Sequence, residues 1–146
     1  MRIGHIGFLI ITNNPLVRDT YAQGAPRADR NFEICYAEGD IQGLLLKVRD
    51  MVYKGHPLVS HPLPASIRMI YSPYRSVILG AVTGSLDPWH AEIAEESLRQ
   101  YRQSTGHRTP DTANTRDYEW MDMQLLSSAL EETQPFIAAS DQKSVK

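Results

Sequence analysis

The sequence predicts an α/β fold in a single domain: a layered, mostly parallel four-stranded sheet flanked by helices, in a Rossmann-like arrangement. The runs at residues 8–12 and 76–82 are almost entirely apolar, which is typical of strands covered on both faces. Between residues 41 and 52 the apolar positions repeat with helical spacing. Strand and helix patterns alternate along the chain, and this order favours a layered sheet with helical crossovers.

The first half of the chain carries turn residues at the ends of its predicted elements. Asn14 suits a helix N-cap and Pro15 the first helical position, because an amide oxygen accepts a free N–H and proline lacks one. Asp40 suits the next N-cap, and Gly55 suits the C′ position after that helix. The predicted elements are strand Phe8–Thr12, helix Leu16–Tyr21, strand Phe32–Ala37 and a helix from Ile41 to just before Gly55.

The second half is predicted to contain two more strands and two longer helices. Asp87 and Pro88 repeat the combination of an N-cap and a first-turn proline. The predicted elements are strand Pro57–Ser60, strand Ser76–Val82, helix Pro88–Ser104 and helix Arg116–Thr133. The expected inner residues are Trp89, Ala91, Ala94, Leu98 and Tyr101 on one helix, and Tyr118, Met121, Leu125, Ala129 and Leu130 on the other. We expect one domain over residues 1–139 and a flexible tail over 140–146.

Composition and charge exclude several classes of partner. The 146 residues are 42% hydrophobic and 22% charged, as expected for one globular domain. A net charge of −2 disfavours nucleic acid, which requires clustered Lys and Arg. No apolar run is long enough for a membrane span, and Cys35 has no second cysteine to pair with. We expect a cytoplasmic protein that binds neither nucleic acid nor membrane; whether it forms a homo-oligomer stays open.

Polar residues follow the first and third predicted strands, where ligands bind in open α/β sheets. The helix N-terminus at Pro15 would offer free N–H groups, and an arginine would add a charged fork. The sequence therefore predicts a small-anion site, for a carboxylate or phosphate. Ordinary caps, turns and surface stacking explain the same residues without a ligand. The candidate ligand-binding residues are Asn13, Asn14, His61, Ser66, Arg68, Tyr74 and Arg75.

The motifs of well-known catalysts and cofactor sites are missing from the sequence. His56 and His61 would point to opposite faces of an extended segment, so no metal site is expected. There is no glycine-rich phosphate loop and no Gly-x-Ser-x-Gly turn, so no cofactor is expected and no catalytic residue is assigned. Cys35, in a predicted strand, is expected to be an inert buried thiol.

Several short motifs resemble the GrdX family in this order along the chain. They are Ile-Ile-Thr-Asn-Asn-Pro-Leu-Val at 10–17, Lys-Val-Arg-Asp at 47–50, Gly-His at 55–56, His-Pro-Leu at 61–63 with Ser66, and Ser-Pro-Tyr-Arg-Ser-Val at 72–77. The chain departs from the family pattern at Ala65 (Gly expected), Arg68 and Arg75 (Lys), Met69 (Pro) and Ser72 (Thr). The resemblance implies a link to the glycine, sarcosine and betaine reductase systems of amino-acid-fermenting bacteria, without implying a mechanism.

The leading hypothesis from the sequence is a non-catalytic accessory or small-anion-binding protein of this reductase metabolism. Its expected partner is a reductase-complex component or a small anionic ligand. Two alternatives remain open: a small enzyme that acts on an acyl or phosphoryl compound with His61 as general acid or base, and a structural interaction module. Whether the protein is an enzyme is undecided at this point.

Overall fold

The computed structural model describes residues 7–22, 31–65, 67–105 and 109–145. Three strands and four α-helices form its framework. They are β1 (Phe8–Thr12), α1 (Pro15–Ala22), β2 (Phe32–Tyr36), α2 (Ile41–Tyr53), β3 (Ser76–Gly80), α3 (Pro88–Thr105) and α4 (Thr115–Val145), with a 3₁₀ helix at Ile67–Tyr71. None of the helices in these ranges is long and apolar enough to cross a membrane.

The sheet has three strands in the order β2-β1-β3, with β1 in the centre. β1 runs parallel to β2 and antiparallel to β3, so the sheet is mixed. The expectation of a four-stranded, mostly parallel, Rossmann-like sheet was therefore wrong. The predicted strand Pro57–Ser60 lies beside β3 but makes only one isolated bridge, between Leu58 and Leu79.

A side chain interrupts the backbone pairing between this segment and β3. Around the bridge the Gly80 N–H donates to the Pro57 carbonyl at 2.8 Å and the Val59 N–H to the Ile78 carbonyl at 2.9 Å, so the Leu58 N–H faces away from β3 and donates to Nδ1 of His90 at 3.1 Å. The Ile78 N–H donates to the Ser60 hydroxyl, at 2.9 Å, instead of to a backbone carbonyl. A ladder extends only where backbone groups pair with backbone groups, so the pairing stops after a single bridge.

Helices cover both faces of the sheet and enclose two apolar cores. Side chains of β1 alternate between the faces: Ile11 enters the core under α2 and α3, and Ile10 enters the core under α1 and α4. The first core contains Ile11, Ile41, Leu44, Leu45, Val48, Val52, Val77, Leu79, Ala91, Ala94 and Leu98. The second contains Ile10, Val17, Ile78, Leu126 and Leu130.

The local signals for helix ends were confirmed. The side chains of Asn14, Asp40 and Asp87 accept hydrogen bonds from backbone N–H groups in the first turns of α1, α2 and α3, at 2.9–3.0 Å. Gly55 follows α2 with φ of 106°, a conformation that favours glycine. Its N–H donates to the Val52 carbonyl, as in a Schellman C-cap.

Two expected core residues proved to be exposed. Trp89 is 67% exposed because it lies two positions from Ala91, about 200° around the helix from the buried stripe. Leu125 is 43% exposed, because the inner face of α4 runs one position further on, through Leu126 and Leu130. The buried Asp122 lies on that face and interrupts the apolar pattern. A search for apolar residues alone therefore places the inner face one position too early.

Candidate functional site

A chain of buried polar side chains links the end of β1 to the start of β3 and to α4. Thr12 and Ser76 face each other in the β1–β3 register, and their hydroxyl oxygens lie 2.7 Å apart. The Ser76 hydroxyl donates to Oδ2 of Asp122 at 2.6 Å, and Asn14 Nδ2 donates to the same oxygen at 3.0 Å. We call these four residues the polar anchor. All are 4% exposed or less.

Asn14 joins both helices of one sheet face through the polar anchor. Its Oδ1 caps α1 by accepting the Leu16 N–H at 3.0 Å, and its Nδ2 also donates to the Glu119 carbonyl of α4 at 2.9 Å. Every polar atom of this amide side chain is therefore engaged within the protein. The prediction that Asn14 caps α1 is confirmed. Its side chain has an additional structural role that the sequence did not show.

Asp122 is the residue of this region that the sequence analysis missed. It is fully buried, and its Oδ1 is the one buried side-chain polar atom without a hydrogen-bond partner in the described part of the chain. No Lys or Arg among the described residues lies within 4.0 Å of its carboxyl oxygens. The available signal was its position four and eight residues before Leu126 and Leu130, which places it on the same helix face.

Asn13 holds together three segments of backbone at the same edge of the sheet. Its Nδ2 donates to the carbonyls of Gly39 and Pro73, each at 2.9 Å, and its Oδ1 accepts the Arg75 N–H at 2.9 Å. These bonds fix the turn that precedes β3. Asn13 thereby positions the backbone from which the Arg75 side chain projects.

Arg75 carries a buried guanidinium group that contacts no carboxylate of the described residues. The residue is 9% exposed; its Nε donates to the Pro62 carbonyl at 3.0 Å and its Nη2 to the His61 carbonyl at 2.6 Å. Burial lowers the pKa of this guanidinium, and the more distant negative charge of Asp122 opposes that effect. Nη1 makes no hydrogen bond to a residue within the described ranges.

A cavity of about 550 Å³ opens beside Arg75, within the size range of small-molecule sites. Most of its wall is apolar and comes from the loop before the 3₁₀ helix, from that helix and from α3. The apolar residues are Ile41, Pro62, Leu63, Pro64, Ala65, Met69, Ile70, Tyr101 and Pro110. The polar ones are His61, Ser72, Tyr74, Arg75, Gln100, Ser104 and Thr109. Arg75 is the one Lys or Arg among these lining residues.

His61 and Tyr74 are the two other predicted site residues on the cavity wall. His61 is exposed, and its Nδ1 lies 3.0 Å from the Leu63 nitrogen and 3.3 Å from the Leu63 carbonyl oxygen. Burial raises the pKa of the Tyr74 phenol, and the negative charge of Glu119 raises it further. A hydrogen bond between the Tyr74 hydroxyl and the Glu119 side chain adds to this effect, so the phenol proton is engaged there.

The structure separates the predicted set into two groups. His61, Tyr74 and Arg75 line the cavity, whereas the side chains of Asn13 and Asn14 are occupied by backbone and anchor contacts and do not line it. Ser66 and the side chain of Arg68 lie outside the described residues. A ligand-binding role for these seven residues stays a prediction.

Other reactive side chains in the described ranges serve local structure. His56 Nδ1 lies 2.9 Å from the Gly80 carbonyl, and His90 accepts the Leu58 N–H. No group of three or more His, Cys, Asp or Glu side chains with metal-binding geometry occurs in the part of the chain described. Cys35 is partly buried, and that burial raises the pKa of its thiol, with Glu33 adding to the effect.

The fold and the cavity define a small three-layered α/β protein with a pocket at one edge of its sheet. The sequence model of the family described as GrdX-like protein matches residues 9–131, so the chain belongs to the GrdX-like protein family. This confirms the resemblance, and the matched range includes every residue that lines the cavity. Searches of curated proteins and of solved structures gave no match.

Proposed function

We propose that this GrdX-like protein is a non-catalytic, small-anion-binding accessory protein and that its ligand occupies the cavity beside Arg75. The observation that carries the proposal is a buried guanidinium that borders a cavity and has no carboxylate partner among the described residues. Burying a cation is costly unless it is compensated, and here the backbone carbonyls of Pro62 and His61 accept its hydrogen bonds while the negative charge of Asp122 acts from a distance. An anionic group in the cavity would add a charge in direct contact with the guanidinium.

The metabolic setting of the proposal comes from the family. The GrdX resemblance associates such proteins with glycine, sarcosine and betaine reductase systems, and we assign the protein to that setting as an accessory component. Glycine, sarcosine and betaine each carry one carboxylate, a group to which a guanidinium donates charge-assisted hydrogen bonds. A partner protein from the reductase system is then expected to act together with the bound ligand.

Catalysis by His61 is the second candidate, since its imidazole lies on the same wall as Arg75. Its Nδ1 is engaged by the Leu63 backbone, 3.0 Å from the nitrogen and 3.3 Å from the carbonyl oxygen, which leaves Nε2 as the ring nitrogen that could act on a substrate. Turnover of acetyl phosphate or a related ester that is lost in His61→Ala would favour the enzyme.

A reductase component that is captured equally well by a variant with a blocked cavity would favour an interaction module.

The test begins with thermal-shift screening of phosphate, acetyl phosphate, glycine, sarcosine, betaine and selenite. A ligand present at about one hundred times its dissociation constant adds roughly 2.7 kcal/mol to the free energy of unfolding. Each ligand that raises the melting temperature is then titrated by calorimetry into the wild type and into a pair of charge variants at Gln100. Gln100 is exposed and lines the cavity, so both substitutions should change stability by less than about 0.5 kcal/mol.

The charge pair separates anion binding from simple damage to the fold. Gln100→Glu is nearly isosteric and should weaken the binding of an anion by about two- to fivefold, the range of a screened pair worth about 0.5–1 kcal/mol. Gln100→Lys should strengthen it by a similar factor. Equal affinity in the wild type and both variants, or no stabilisation by any of the six compounds, would contradict an anion site in this cavity.

A further inference from the structure

The cavity is much larger and more apolar than a site for a bare inorganic anion requires. The cavity measures about 550 Å³, and Arg75 is the only Lys or Arg among its described lining residues. Sites for phosphate usually combine several charged or N–H donors around three oxygens. A single guanidinium beside apolar walls instead suits a molecule with one charge at one end.

The apolar part of the wall is contributed by well-placed, partly accessible side chains. Leu63 and Ile70 lie on the wall, and Ile70 is 37% exposed although it is large and apolar. Met69 and Tyr101 continue the same surface towards the inside of the protein. These groups would be covered by a ligand that has an apolar body, and covering them removes apolar area from water.

We infer that the cavity binds monocarboxylic acids with an apolar body, with the carboxylate at Arg75 and the hydrocarbon portion against Leu63, Ile70 and Tyr101. This inference rests on the proposed anion-binding function and narrows its ligand class. The Arg75 position is fixed by its bonds to the Pro62 and His61 carbonyls, which leaves Nη1 for the carboxylate. The His61 ring also lines the cavity, whereas the Tyr74 hydroxyl is hydrogen-bonded to Glu119.

A chain-length series tests the ligand class. Straight-chain carboxylates from acetate to decanoate are titrated into the protein by calorimetry, with inorganic phosphate and the matching primary alcohols as comparison ligands. Each methylene that becomes buried should tighten binding by about fourfold, the equivalent of about 0.8 kcal/mol. The gain should end where the chain outgrows the cavity, and each alcohol should bind more weakly than its acid.

Two variants assign the two ends of the ligand. Ile70→Gln keeps the approximate size of the side chain but makes the wall polar, and it should reduce the gain per methylene while leaving acetate binding unchanged. Arg75→Gln should remove the difference between acid and alcohol. Because Arg75→Gln alters buried hydrogen bonds, its folded state is checked by circular dichroism, and Gln100→Glu provides a second charge variant that leaves those bonds intact.

The outcomes separate this inference from the function on which it rests. Binding that tightens with chain length and weakens in the two charge variants, Arg75→Gln and Gln100→Glu, supports the inference. Binding of phosphate and acetate at equal strength, with no gain along the series, overturns the inference and leaves the anion site in place. Failure of every anion to bind overturns both. Binding of alcohols as tightly as acids also contradicts the inference, because the carboxylate would then contribute nothing.

Discussion

Replacing Asp122 is the sharpest test of how the sheet edge is held together. Asp122 is fully buried on α4, and its Oδ2 accepts hydrogen bonds from Ser76 at 2.6 Å and Asn14 at 3.0 Å. In Asp122→Ala both donors lose this acceptor, at about 1–3 kcal/mol for each unsatisfied group. Ser76 still has Thr12 nearby and Asn14 retains the Glu119 carbonyl, so we expect a total loss of about 2–4 kcal/mol.

Asp122→Asn should cost less than half as much as Asp122→Ala. An amide oxygen placed at the position of Oδ2 can accept both hydrogen bonds, and the amide nitrogen would replace the oxygen that has no partner in the described structure. Urea denaturation monitored by circular dichroism measures both losses, provided the slope with denaturant is unchanged. Glu131→Ala, at an exposed position of the same helix, serves as the control and should stay within about 0.5 kcal/mol of the wild type.

The size of the Asp122→Ala effect decides whether the polar anchor stabilises the fold. A domain of this kind has a total free energy of unfolding of about 5–15 kcal/mol, so a loss of 2–4 kcal/mol is a large fraction. A loss below about 1 kcal/mol would refute the assignment of Asp122 as the residue that joins α4 to β1 and β3. A loss as large in Asp122→Asn as in Asp122→Ala would refute the hydrogen-bonding explanation.

Three further results are expected. Gly55→Ala should destabilise the protein by about 2 kcal/mol or more in urea, since φ is 106° and a Cβ would collide with the Gly84 carbonyl; Gly39→Ala has similar strain but open space and should cost less. Ser60→Ala should cost about 1–2 kcal/mol, because the Ile78 N–H loses its acceptor; no change would contradict that role. Cys35 should alkylate with a pH midpoint above that of an ordinary thiol, since burial raises its pKa; a midpoint below it would contradict this.

The raised thiol pKa also sets the direction of a pH effect on stability. The folded protein holds the Cys35 proton at pH values where the unfolded chain has already lost it, so the unfolded state binds fewer protons there. The stabilising contribution of Cys35 to folding is therefore full below the ordinary thiol pKa. It is lost as the pH rises from there through the raised pKa of the folded state. Cys35→Ser should flatten that part of the alkaline stability curve.

Local features of the fold were predictable because they depend on neighbouring residues. Each cap at Asn14, Asp40 and Asp87 depends on one side-chain oxygen that accepts a free backbone N–H. Gly55 depends on a backbone angle that favours glycine at the C′ position. The bounds of β1 and the start of α2 were also correct. These predictions required no knowledge of which elements meet in space.

The sheet topology was not predictable from the same signals, since strand direction is a long-range property. An apolar run such as Ser76–Gly80 fits a parallel or an antiparallel central position equally well. The segment Pro57–Ser60 did not become a fourth strand because Pro57 has no N–H for β3 and the Ile78 N–H donates to the Ser60 hydroxyl instead of to a backbone carbonyl. The chain order gives no sign that Ser60 and Ile78 meet.

The candidate site was predictable in position and less so in its parts. The rule that ligands lie beyond strand ends led to His61, Tyr74 and Arg75, which the structure brings to one cavity. The same rule also selected Asn13 and Asn14, whose side-chain amides make hydrogen bonds within the protein instead of lining the cavity. Asp122 was missed because a single aspartate in a helix is usually exposed, and only the packing of α4 on the sheet reveals its burial.

Nuclear magnetic resonance of the arginine side chain is the most direct measurement of the proposed site. The Nε–H signal of Arg75, identified by its loss in Arg75→Gln, is followed during titration with a medium-chain carboxylate. We expect a saturable shift of this signal together with the backbone amides of Leu63, Ile70 and Tyr101, which line the cavity. Saturable shifts confined to another surface, such as the exposed indole of Trp89, or no saturable shift at all, would contradict an anion site at Arg75.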